Sequence, residues 1–506
     1  DRISELGVEF EANISNYKDA LVVSEDEMEG LPEDYKAAHR MEDGSYKIDL
    51  TYPSYFPFMK YSTSSAARKK LAKKFRNIAS DKNLEVLQKM LSERKKMAHK
   101  LGYKSFAEYQ LENRMAKNPT RVWEFEEQLR LKVQQKSERD YQELLDIKQE
   151  YLKDEKVDKI DSWDRGFYST LLKRKRYDVD DEKIKEYFEV DRVISGLFRI
   201  SEQLFGVRYE EVEEPDVWHP DVRMFRVKEG DQLIGSFYFD LYPRDNKFNH
   251  AAVFSLINGK STPNGYQKPV AALVTNFPKA TTEKPALLPH SDVETLFHEF
   301  GHLMHDLLTK APYSEQAGTN VVRDFVEVPS QLFEHWAWAY ESLQLFARHY
   351  QDNSLLPIEL YQKMVEAKNV GSGIFTLQQI LYGMIDMTFH DQYDSETDSR
   401  STTDVVRELQ NKITPFEFLE GTHFEAGFGH LFGYAAGYYG YLWAKVYAED
   451  MFSVFADGGI LKPESGQKFK QEVLEKGSSE EEQTIARNFL GREVSYDAFL
   501  KDIGLE

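Results

Sequence analysis

The chain contains no cysteine among its 506 residues. That absence removes disulfides, thiolate metal ligands and thiol catalysis together, so any transition-metal site must be built from His, Asp or Glu. The search for ligands therefore narrows to 13 histidines. No apolar run approaches the ~20 residues that a membrane-spanning helix needs, and Asp1 to Glu9 shows no signal-peptide pattern. Low-complexity tracts, Pro/Ser linkers and sustained charge runs are also missing, which excludes disorder, fibrous repeats and a string of independent domains. Positive charge is scarce: 65 Lys and Arg stand against 86 Asp and Glu, and a net charge of -21 argues against nucleic acid as a partner. The same charge weakly favours cationic ligands.

Hydrophobic residues make up 41% and charged residues 30%, and the aromatic count (29 Tyr, 33 Phe, 6 Trp) provides large side chains for a core or for a pocket. From Ser65 onward apolar residues fall at helical spacing, as in Leu71, Phe75 and Ile78, then Leu84, Leu87 and Leu91. The 13 Lys and Arg between Arg68 and Lys104, against 3 acidic residues, read as the solvated face of those helices. Residues 34–50 look turn-like. Near residue 231 the period changes. Leu233–Leu241, His250–Leu256 and Val270–Phe277 are short runs separated by turn residues, and they predict one small sheet. After Pro289 the helical period returns, with breaks at Gly371-Ser372-Gly373 and from Gly427 to Gly440. The expected organisation is one unit over 1–506: a mainly helical part to 230, the sheet over 231–290, and a helical part from 291.

The run Val293-Glu-Thr-Leu-Phe-His298-Glu299-Phe-Gly-His302 holds His-Glu-x-x-His on a predicted helix. Residues four apart share a helix face, so His298 and His302 can offer two imidazoles to one tetrahedral ion. Glu299 is turned by about 100° from His298, toward a water on that ion rather than the ion itself. A metzincin would carry Gly at 305 and His at 308, but the sequence has His305 and Leu308, so that family is excluded. His305 reads as a helix-packing group or one that supports a ligand from behind, rather than as a ligand. A third ligand can come from the next helix, where Asp324, Glu327 and Glu334 all compete. Two His and one carboxylate leave a fourth position for water, the layout of a catalytic zinc rather than a structural one.

Several blocks resemble the thimet oligopeptidase, neurolysin and saccharolysin family. They are Phe239-Asp-Leu-Tyr-Pro-Arg244, His250-Ala-Ala-Val-Phe254, Val270 to Phe277, Val293 to His302 and Arg323-Asp-Phe-Val-Glu327-Val-Pro-Ser-Gln-Leu-Phe-Glu-His-Trp336. Leu101 to Tyr109, Met115-Ala-Lys and Tyr438-Tyr-Gly-Tyr441-Leu-Trp443 extend the likeness over most of the chain. The resemblance implies a mainly α, two-lobed peptidase fold with a deep central channel and a small sheet beside the zinc helix. It implies zinc-dependent cleavage of internal bonds in short unstructured peptides, and it selects Glu327 as the third ligand beside His298 and His302. It also assigns His430 and Tyr438 to substrate and Tyr441 to the oxyanion, with Tyr439 left to packing. Glu294 and Arg323, each one turn before a ligand, are expected to pair with each other. The strand from Val270 is expected to pair with an extended substrate.

Two departures stand beside this. Family members carry further helical sequence upstream of Asp1, and without cysteine the thiol sensitivity of the thimet enzymes cannot occur. A dipeptidyl carboxypeptidase, with Arg244 as the cation for a free C-terminus, and a non-catalytic peptide binder are the rival readings. The expected partners are short peptides, with no nucleic acid and no membrane, for a monomer in the cytoplasm or the mitochondrion.

Overall fold

The computed structural model describes residues 2–505. Six helices carry the argument: α1 (Ser80–Lys100), α2 (Pro119–Leu152), α3 (His290–Leu308), α4 (Arg323–Glu334), α5 (Ser372–Met387) and α6 (Gly440–Gly458). The chain divides into two compact units. One comprises the residues up to Asp178 with Ala367–Tyr439 and Ile503–Leu505, and the other comprises Val179–Glu366 with Gly440–Asp502.

The first unit is mainly helical. Asn118 caps α2, its side chain accepting from the Arg121 N–H, and Pro119 occupies the first turn where no donor is lost. α5 lies along α2 at glycines: a Cβ on Gly373 would stand 2.5 Å from Ser137 N, so only glycine permits that approach. Residues 34–50 are more ordered than their turn-like pattern predicts. They hold a helix, Glu33–His39, and a strand β2 (Tyr46–Asp49) that pairs antiparallel with β1 (Ala20–Val23). Leu21, Val23, Tyr46 and Ile48 alternate into a core with Phe58 and Leu71, a period too short to stand out in sequence.

The second unit carries the expected sheet, with two further strands. β3 (Val207–Glu211), β4 (Arg223–Glu229), β5 (Gln232–Asp240), β6 (Ala252–Ile257) and β9 (Val270–Val274) form one mixed sheet in the order β3-β4-β5-β9-β6, and β7 (Lys260–Thr262) and β8 (Gly265–Gln267) make a separate hairpin. β9 runs parallel to β5, with Phe237 opposite Ala271, and antiparallel to β6, with Val253 opposite Leu273. The strand from Val270 is therefore interior, its hydrogen bonds taken on both sides. The expectation that it pairs with substrate is corrected: β6 is the edge on that side of the sheet, and it exposes Phe254, Leu256 and Ile257.

α3 packs on β5, β6 and β9. Its buried residues Val293, Leu296, Phe297, Phe300, Leu303, Met304 and Leu307 recur every three or four positions, which fixes one face against the sheet. Phe300 meets Phe198, Tyr209 and Phe333 at ring separations of 6.1 to 6.2 Å. Phe300 and Phe333, fully buried, each stabilise by roughly 1.5–3 kcal/mol.

Candidate functional site

α3 and α4 pack antiparallel at a point where no side chain intervenes. A Cβ on Gly301 would stand 2.5 Å from Ser330 Cα and 2.8 Å from Pro329 O, so the backbones touch there. This contact places the faces of His298 and His302 opposite Glu327, one turn from Ser330. Glu327 Oε2 lies 3.0 Å from His302 Nε2 and 3.2 Å from His298 Nε2. One donor atom from each of the three lies within 4.8 Å of the others, and among the described residues no other group of three His, Asp or Glu does so.

The donor set fits a metal. A tetrahedral ion with bonds of ~2.0–2.1 Å needs donors about 3.3 Å apart, near the two distances seen. Glu327 is aimed by Ser330, whose Oγ donates to its carbonyl at 2.9 Å and to its Oε2 at 3.1 Å. Burial works against the charge on Glu327, but His302 and His298 hold its carboxyl well below the ordinary range. Glu299, beside them on α3, is buried and its Oε2 has no hydrogen-bond partner among the described residues. Burial pushes its carboxyl up against the pull of His298 and His302, which suits a group that must take up a proton.

Of the rival carboxylates, Asp324 and Glu334 stay outside the cluster. Glu334 instead accepts at His298 Nδ1, 2.8 Å away, leaving Nε2 for the metal face. Burial opposes its ionisation, and the Lys445 ammonium, 3.1 Å from Oε2, pulls the carboxyl down to about 2. Lys445 also meets Glu449 at 2.9 Å, and Glu449 meets His335 at 3.1 Å. This row of charged groups behind His298, half-buried except for the buried Glu449, was not read from the sequence. Its only signal was the placement of Glu334 two turns beyond Glu327 on one helix face.

The expected pair of Glu294 with Arg323 is not formed, because antiparallel packing puts them at opposite ends of the helix pair. Glu294 Oε1 accepts from Trp338 Nε1 at 2.8 Å, just past the end of α4. His305 is buried with neither ring nitrogen bonded among the described residues, and burial lowers it to about 3, consistent with a neutral packing group. Arg244 is engaged by Asp240 through bonds of 2.6 and 2.7 Å, so it is not a waiting cation.

The glycine-rich segment divides between the units. In the first, His430 and Tyr438 lie in an aromatic cluster, their rings 5.1 Å apart and each within 5.3 Å of Phe428. In the second, Tyr441 opens α6, and its carbonyl accepts from Gln331 Nε2 on α4 at 3.0 Å. A Cβ on Gly440 would come 3.2 Å from Arg323 O, so the chain enters α6 pressed against the start of α4.

Residues 58–505 match the family described as peptidase family M3. The chain is 36% identical over 525 residues to oligopeptidase A of Haemophilus influenzae, covering 100% of this chain and 76% of that protein. It is 34% identical to saccharolysin of Saccharomyces cerevisiae, over 100% of this chain and 74% of that one. The solved structure of PZ peptidase A with an inhibitor superposes with a TM-score of 0.60, over 99% of this chain and 74% of that one, at 14% identity. That last likeness is one of fold.

Proposed function

Because the chain belongs to peptidase family M3, we propose that it is a zinc-dependent oligopeptidase that hydrolyses internal bonds of short, unstructured peptides. The observation that carries this is the convergence of His298 Nε2, His302 Nε2 and Glu327 Oε2 beside a buried Glu299. Those three residues would hold one zinc ion, which when bound supplies a Lewis acid for the scissile carbonyl and lowers the pKa of water to about 7. Glu299 takes the proton of the attacking water and delivers it to the leaving amine. Tyr441 donates to the oxygen that gains charge on the attacked carbonyl. His430 and Tyr438 bind the peptide flanking that bond. The exposed edge of β6 suits an extended peptide backbone, a sequence-tolerant mode of recognition. The whole chain acts as a single catalytic unit.

The rival dipeptidyl carboxypeptidase reading is weakened by the engagement of Arg244 with Asp240. Amidating the C-terminus of a test peptide should leave internal cleavage intact, and loss of cleavage would favour the rival. The main test is Glu299→Gln: it should retain zinc by elemental analysis and lose at least about 100-fold in kcat, since general acid and base action leave together. A variant cleaving within about tenfold of the parent would remove Glu299 from that role.

A further inference from the structure

The glycine-rich segment before α6 is held by one face of α5, at both the backbone and the side chain of a single residue. Asp386, 1% exposed, accepts the N–H groups of Ala436 at 2.9 Å, Gly437 at 2.8 Å and Tyr438 at 2.9 Å. Ala436 has φ +50, a left-handed conformation that residues with a Cβ rarely adopt. A left-handed residue in such a turn aims consecutive N–H groups at one point and makes a nest for an anion. Here the anion is the chain's own carboxylate.

Behind Asp386 the arrangement continues. His390 Nδ1 lies 2.9 Å from Asp386 Oδ1, and Arg94 Nη1 lies 2.8 Å from His390 Nε2. The same Arg94 donates to Leu431 O at 2.5 Å and to Phe432 O at 3.1 Å, so the buried ion group ties the early part of the segment as well as its end. Two turns back along α5, Gln379 Oε1 accepts from the Tyr438 hydroxyl at 3.0 Å, and Tyr382 meets the Tyr438 ring edge-on at 5.6 Å. Positions 379, 382 and 386 share one helix face. Burying a carboxylate is costly unless it is fully bonded.

We propose that this face of α5 is the seat of the Tyr438 segment and that Asp386 is a positioning residue for the peptide-binding phenol: it fixes the backbone through a nest while Gln379 holds the hydroxyl ready for exchange with a peptide group. The inference rests on the reading that Tyr438 binds substrate. It makes affinity for peptide, rather than the chemical step, the quantity that Asp386 controls.

The test is a double-mutant cycle with an internally quenched peptide, comparing Asp386→Asn, Tyr438→Phe and the pair, with zinc content and amide exchange measured on each. Asp386→Asn should keep its zinc, raise KM by about tenfold and hold kcat within about threefold of the parent. In the Tyr438→Phe background the same change should alter KM by less than about twofold, because the group it acts through is gone. Amide exchange at 436–438 should quicken by at least about tenfold in Asp386→Asn. Gln379→Met, which leaves the buried carboxylate in place, should raise KM by about threefold and be silent in the Tyr438→Phe background, and it serves if Asp386→Asn does not fold. Equal losses in both backgrounds, or unchanged exchange, would overturn the proposal, as would Tyr438→Phe with the parent's KM. Failure of the broader reading looks different: the parent itself would show no zinc-dependent cleavage.

Discussion

His298 is held from two sides, by Glu327 on its Nε2 and Glu334 on its Nδ1, and the second contact fixes the ring orientation that the first requires. Carboxylates that bond a ligating imidazole from behind typically affect metal affinity by about 10–100-fold when removed. Glu334→Gln should weaken zinc binding by that range in a competition titration with a chelator, and a change below about threefold would mean that the charge of Glu334 is not what orients the ring. Glu126 illustrates the opposite use of a carboxyl. It is fully buried on α2 against Gly383, neither oxygen has a hydrogen-bond partner among the described residues, and burial, then Asp386, pushes it well above its ordinary value. The folded chain thus favours the protonated acid. Its stability contribution is full below the unfolded value of about 4.3 and is lost as pH rises toward the raised folded one. Glu126→Gln should leave the melting midpoint near pH 4 unchanged and raise it at pH 8; equal shifts at both would show that the acid is not neutral in the fold.

At the scale of elements, the centre depends on how closely α3 and α4 approach. Gly301 permits backbone contact with Ser330, and Ser330 in turn aims Glu327. Gly301→Ala must part the helices, at a cost of about 1–3 kcal/mol, and should lower both the melting midpoint and zinc affinity. A variant that melts earlier but binds zinc as before would separate the helix contact from the metal geometry. The helix of the paired histidines was legible because two signals coincide in it, apolar residues at helical spacing and His-Glu-x-x-His on the remaining face. Gly301 sits between those histidines and gives no sign in sequence of the backbone it touches, since that contact comes from the next helix. Strand order was hidden for the same reason. Val270 to Val274 is apolar enough to be interior, yet its neighbours β5 and β6 are set by pairing across the chain, and only the sheet shows which strand is the edge. β3 and β4 lie before the change of period at 231 and carry charged residues such as Arg208, Glu210 and Arg226 on their open face, and Arg223 on the other, which masks their alternation.

At the scale of the whole molecule, each unit is assembled from stretches far apart in sequence. The second unit joins Val179–Glu366 to Gly440–Asp502, and its charge row crosses between them from Glu334 to Lys445. The first joins its N-terminal helices to Ala367–Tyr439, and Arg94 reaches His390 across that join. Family likeness identified His430, Tyr438 and Tyr441 as candidates, but the partners Asp386 and Lys445 have no local motif, because each is defined only by what it meets. No helix among the described residues is long and apolar enough to cross a membrane. A metal that binds the folded state and not the unfolded chain adds stability by mass action, so the site couples to the fold of the second unit. The most direct test is the zinc content of the purified protein beside that of Glu327→Ala, each measured with peptide turnover before and after chelation. The parent should carry one zinc per chain, lose cleavage with chelator and regain it with added zinc, while Glu327→Ala should hold less than about a tenth of an equivalent and cleave nothing measurable. Full zinc in Glu327→Ala, or cleavage by the parent that persists without metal, would contradict the account.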